Sequence, residues 1–116
     1  MQGTTIRPLL DRTISMIQAE VHEIAKDHGW WDKDCNDGEA IALMHSELSE
    51  ALEALRNGNP ISDKIPCHLN LTEELADCVI RIMDYCEGAE LDLEEAILAK
   101  MEYNRTRPFM HGGKVF

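Results

Sequence analysis

The stretch Ile41-Ala42-Leu43-Met44-His45-Ser46-Glu47-Leu48-Ser49-Glu50-Ala51-Leu52-Glu53-Ala54-Leu55 decides the class of fold. Ile41, Met44, Leu48, Leu52 and Leu55 recur at spacings of three and four, which place them on one face of an α-helix. Asn36 or Asp37 can cap the start of this helix, and Asn57-Gly58-Asn59-Pro60 stops it.

The same period extends in both directions. Upstream, Leu10, Ile14, Ile17, Val21 and Ile24 mark one face of a helix from Arg7 to His28, with Pro8 in its first turn and Gly29 at its end. Trp30, Trp31 and the polar run Asp32 to Gly38 form a loop. Downstream, Pro60 and Pro66 make Ile61 to Leu69 a connection. A third helix starts near Asn70, with Glu73 placed for a capping box, and carries Leu75, Val79, Ile82 and Cys86 to Gly88. Asp92 with Glu95 repeats the capping logic for a fourth, with Leu93, Ala96, Ile97 and Met101, which Pro108 terminates ahead of a tail from Phe109 to Phe116. Strand-like alternation is almost absent. The expected fold is all-α, one domain over residues 1–116, a compact bundle of about four helices with antiparallel neighbours.

The chain carries 22 Asp and Glu against 11 Lys and Arg, a formal charge of −11. That balance argues against a nonspecific binder of nucleic-acid polymers or of anionic membranes, both of which require a basic surface. An anionic small substrate would need a cation to bridge it. The four cysteines form no CxxC pair, residues Met1 to Leu10 lack a basic region followed by a long apolar one, and no apolar run approaches membrane-spanning length. A reducing cytoplasm is the expected location.

Two segments carry acids beside apolar stripes. Glu47-Leu48-Ser49-Glu50-Ala51-Leu52 and Glu74-Leu75-Ala76-Asp77-Cys78-Val79 each hold a pair of acids three apart, with the stripe beginning one residue after the first acid. At roughly 100° per residue both pairs flank their stripes on the same side. Packing the two helices antiparallel through those stripes would bring four carboxylates to one cleft, where their mutual repulsion calls for a divalent cation. An all-oxygen donor set suits Mg²⁺, with Mn²⁺ as a substitute. Singly, such motifs are common solvated acids on helix surfaces.

The basic complement is Lys100, Asn104 and Arg107, spaced four and three apart on the fourth helix and its exit. They read as phosphate ligands, or Lys100 and Arg107 as C-terminal cations that complement the helix dipole or pair with bundle acids. Trp30 and Trp31 offer a stacking surface for a base or a plug for the bundle end. Arg81, four after Asp77, can pair with it or reach a phosphate. His22, His28, His45 and His68 show no paired ligand spacing, and His111-Gly112-Gly113-Lys114 is too short for a phosphate loop and lacks a Walker context.

At these residues the chain resembles the MazG-like all-α nucleoside triphosphate pyrophosphohydrolases, whose signature is EExxE followed by ExxD. Glu47 and Glu50 match the last two acids of the first element, Glu74 and Asp77 match the second, and Ser46 stands where the family has its leading acid. The run Lys100-Met101-Glu102-Tyr103-Asn104-Arg105-Thr106-Arg107-Pro108, with His111-Gly112 after it, is similar to the C-terminal pattern of small members. The resemblance covers the chain from Gly29-Trp30-Trp31 onward. It implies Mg²⁺-dependent hydrolysis of a canonical or non-canonical nucleoside triphosphate to the monophosphate and pyrophosphate, a house-cleaning of the nucleotide pool. Glu47, Glu50, Glu74 and Asp77 would hold metal, Glu50 would orient or deprotonate water, and Lys100, Asn104 and Arg107, with Trp30 and Trp31, would bind substrate. The wide apolar faces and the family's habits together imply a homodimer or homotetramer. The competing expectation is a noncatalytic helical module that binds nucleotide, metal or a basic protein partner.

Overall fold

The computed structural model describes residues 11–34 and 36–108. Four helices follow in order, α1 (Ile14–Asp27), α2 (Asp37–Arg56), α3 (Asn70–Gly88) and α4 (Leu93–Arg105), with no strand among the described residues. The chain is an all-α bundle. Among those residues no helix is long and apolar enough to cross a membrane.

Local chemistry sets the helix starts. The Thr13 hydroxyl accepts from the Met16 N–H, Asn36 Oδ1 from the Glu39 N–H and Asp92 Oδ1 from the Glu95 N–H, each satisfying a donor the first turn leaves open. The first helix therefore begins at Ile14 and not at Arg7; residues 7–10, Pro8 included, lie outside the described residues, as does the tail from Phe109. The capping box expected at Asn70 and Glu73 does not form. Leu69 precedes α3 without a side-chain cap, the Leu71 N–H donates instead to Asn59 Oδ1, and the Glu73 carboxylate accepts from the Ser62 hydroxyl at 2.6 Å. The connection folds back on itself to make this possible: Ile61 bridges Leu69 antiparallel, and the Asn70 N–H donates to the Pro60 carbonyl. Ser62 is buried at its centre and also accepts from the N–H groups of Lys64 and Ile65.

Gly29 ends α1 at φ +83°, a left-handed turn that glycine adopts without a Cβ penalty. The turn delivers Trp31 onto α3, where Gly88 faces its ring so closely that an added Cβ would overlap it.

Pairings along the helices fix their directions. Asp37 meets Tyr85, the Met44 carbonyl meets Cys78, Glu47 meets Arg81 and Asn59 meets Leu71, so α2 and α3 run antiparallel. Gln18 donates to Glu87 and to the Leu91 carbonyl, while His22 pairs with Asp84, so α1 also runs antiparallel to α3. α3 is thus the central helix. α4 packs mainly on α1, and its Glu94 carboxylate accepts from the Ser15 N–H.

The expected stripes of α2 and α3 pack only in part: Met44, Ile82 and Cys86 turn inward, while their other apolar members stay open. On α2 the buried residues are Ala51 and Ala54, in line with half-buried Met44 and Glu47, whereas Leu48, Leu52 and Leu55 are 49%, 51% and 53% exposed. On α3 Cys78 and Cys86 are buried, while Leu75 and Val79 stand in the open and Ile82 is half-buried. Small residues in the seam let the two backbones approach; the leucines point elsewhere.

Candidate metal centre

The consequence of that rotation is chemical. Glu47 does not flank a core stripe; it stands in the α2–α3 seam one turn after Met44 and one before Ala51. Across the seam α3 presents Glu74 and Asp77, three apart on one face. One carboxylate oxygen from each of Glu47, Glu74 and Asp77 lies within 4.8 Å of the others, and all three side chains are half-buried.

Packing three acids this closely disturbs their titration. Loss of hydration raises Glu74 above the ordinary carboxyl range, and a hydrogen bond with Asp77 and the charges of Asp77, Glu73 and Glu47 add to the rise. Asp77 is raised by burial first and by the charge of Glu47 next; its bond with Glu74 and the charge of Lys64 pull the other way. Arg81 offsets part of the negative charge. Its Nε donates to Glu47 Oε2 at 2.7 Å, so its acidic partner is not Asp77 of its own helix but an acid on the neighbouring one.

As a donor set, three converging carboxylates supply oxygens only, at partly desolvated positions where unneutralised charge is costly. That chemistry fits a hard divalent cation such as Mg²⁺ or Mn²⁺. Glu50 lies outside the triad, exposed on α2. Ser46 contributes no acid; its hydroxyl bonds back to the Leu43 carbonyl within the same helix.

A cleft of about 440 Å³, lined among others by Trp30, Trp31, Leu43, Arg81, Asp84 and Tyr85, is linked to the triad through Arg81, although none of the three acids lines it. The two tryptophans divide their duties. Trp31 is the packed one: its indole N–H donates to Asp84 Oδ1 at 2.8 Å, and its ring meets His22 edge-on at 4.9 Å between centroids. His22 in turn shares Asp84 Oδ1 at 2.8 Å. Trp30 is 61% exposed, with the Arg81 guanidinium carbon 5.2 Å from its ring centroid. Lys100, Asn104 and Arg107 are exposed on α4 and its exit, away from the α2–α3 seam, and Lys100 lies over Tyr103 of its own helix.

Sequence reasoning missed three elements here: the Arg81–Glu47 pair, the buried Ser62 knot and the His22–Asp84–Trp31 network. A signal existed for two of them, since Asp77, Arg81 and Asp84 succeed one another at spacings of four and three and so share a face of α3. Compared with known protein families, with curated proteins and with solved structures, the chain finds no match.

Proposed function

We propose that the protein is a divalent-metal-dependent nucleoside triphosphate pyrophosphohydrolase of the MazG-like kind. The observation that carries this reading is the convergence of Glu47, Glu74 and Asp77 in one seam, acids that the resemblance to the EExxE and ExxD signature had already singled out. These three side chains would hold the cation. Bound there, a divalent ion polarises a phosphoryl oxygen and acidifies a water. The protein's own residues do the rest. The half-buried seam keeps the carboxylates desolvated, Trp30 offers a face on which a base can stack, and Trp31 braces the cleft through Asp84 and Gly88. Glu50, one turn beyond Glu47, open to solvent and outside the converging three, would orient water.

The phosphate role read for Lys100, Asn104 and Arg107 needs a second copy of the chain. Within one chain α4 packs on α1, so these residues serve the acids only if a neighbouring protomer presents them. The uncovered leucines of α2 and the exposed Leu75 and Val79 of α3 favour such a homo-oligomer, because large apolar side chains on two adjacent helices are left without cover.

Pyrophosphate release under saturating Mg²⁺ tests the assignment. Asp77→Asn should lower turnover by a factor of a hundred or more, and Glu50→Gln by a factor of ten or more, with the helical content of both unchanged. Near wild-type turnover in Asp77→Asn would remove the site, and no turnover of the wild-type chain on any triphosphate would favour the noncatalytic module.

A further inference from the structure

Arg81 belongs both to the acid triad's surroundings and to the neighbouring cleft. Its Nε is bonded to Glu47 Oε2 at 2.7 Å, its guanidinium carbon is 5.2 Å from the Trp30 ring centroid, and its side chain lines the cleft with Trp30 and Leu43. A bond made through Nε leaves the two amino groups of the fork uncommitted to Glu47. The side chain is half-buried, so its charge is only partly screened by water.

We propose that Arg81 is an exchangeable cation: it neutralises Glu47 while the acid triad is free of metal, and it moves to the polyphosphate of a metal-bound substrate once Glu47 is taken up in ligation. The proposal rests on the metal reading of the triad given above. Electrostatics sets its direction. A guanidinium beside Glu47 competes with a divalent ion for the same carboxylate and repels it, so metal and Arg81 oppose one another when no anion is present. A polyphosphate reverses the sign, because it supplies negative charge that both cations attract, and the planar fork of arginine suits two phosphate oxygens at once. A ligand with its ring against Trp30 and its phosphates at the triad passes over Arg81. Trp30 stacking holds the guanidinium at that crossing and makes indole fluorescence a reporter of its departure.

The test measures binding without turnover. Mn²⁺ affinity is read by electron paramagnetic resonance on wild type, Arg81→Gln and Arg81→Lys, and affinity for inorganic pyrophosphate is then read by calorimetry on the Mn²⁺-loaded proteins. Arg81→Gln should bind Mn²⁺ alone at least threefold more tightly than wild type and bind pyrophosphate at least tenfold more weakly. Arg81→Lys, which keeps the charge and loses the fork, should return Mn²⁺ affinity to the wild-type value and recover part of the pyrophosphate affinity. Titrating Mn²⁺ should change Trp fluorescence in wild type, and less than half as much in Arg81→Gln. If Arg81→Gln weakens Mn²⁺ and pyrophosphate binding alike, Arg81 is merely structural and the proposal is overturned; unchanged pyrophosphate affinity overturns it too. Wild type that binds no Mn²⁺ overturns the metal reading along with it, which separates that failure from the failure of Arg81 alone.

Discussion

Glu74 and Asp77 show how one pair of residues links charge, stability and ligand. Their carboxyls hold protons to higher pH in the folded chain than in the unfolded one. Below the ordinary carboxyl range both states are protonated and the pair is neutral toward folding. As pH rises through that range the unfolded chain releases its protons first, so stability is lost until the raised folded values are passed. A divalent cation binds the deprotonated form and returns the lost stability. In the presence of a chelator, the Tm contribution of this pair should therefore fall as pH rises through and just above the ordinary carboxyl range. Mn²⁺ at a hundredfold excess over its Kd should raise Tm by on the order of 10 °C at pH 7.5. The rise should be much smaller at pH 4.5 and absent in Asp77→Asn. Differential scanning fluorimetry across pH measures all three. An equal Mn²⁺ shift at both pH values, or in Asp77→Asn, would contradict the linkage.

At the scale of elements, the helical period of residues 41–55 was legible and the face that packs was not. Apolar side chains occupy two overlapping stripes on α2, Leu48-Leu52-Leu55 and Met44-Ala51-Ala54, and hydrophobicity alone favours the leucines. Close approach decides otherwise: alanines at positions 51 and 54 and cysteines at 78 and 86 let α2, α3 and α1 come together, so the small residues fill the seams. Glu47, expected at the flank of the leucine stripe, lies in the seam itself. Cap chemistry was legible at Asn36 and Asp92, where the acceptor lies three residues from its donor. It failed at Asn70, because the contacts that replace the cap come from Asn59 and Ser62, in a connection whose fold-back no local pattern encodes. The Arg81–Glu47 pair, 34 positions apart, was invisible for the same reason, although the shared face of Asp77, Arg81 and Asp84 marked the right side of α3.

For the whole molecule, the described residues bury no large side chain completely; the buried apolar set is Ala51, Ala54, Cys78 and Cys86. So small a fully buried set leaves much apolar surface open, which is the observation behind the proposed assembly. The exposed leucines of α2, with Leu75 and Val79 beside them, form the face that a second copy would cover, and a stable interface hides roughly 800 Å² on each partner. Analytical ultracentrifugation should find the wild type as a dimer or tetramer at micromolar concentration. Leu52→Glu, which places a charge at the middle of the uncovered stripe, should weaken assembly by a hundredfold or more and lower Tm in a concentration-dependent way. A monomeric wild type of full stability would contradict this. The formal charge of −11 takes a different meaning at this scale: most of the acids cap helices or face water, and three of them share a seam where neutralisation is built into the fold by Arg81 and, on the proposed reading, completed by a cation. The measurement that tests the central claim most directly is product identification after incubating the purified protein with Mg²⁺ and a panel of ordinary, deoxy and damaged nucleoside triphosphates. Nucleoside monophosphate and pyrophosphate should form in equal amounts from at least one substrate and disappear on chelation; orthophosphate with the diphosphate, or turnover that persists without metal, would contradict the metal-dependent pyrophosphohydrolase reading.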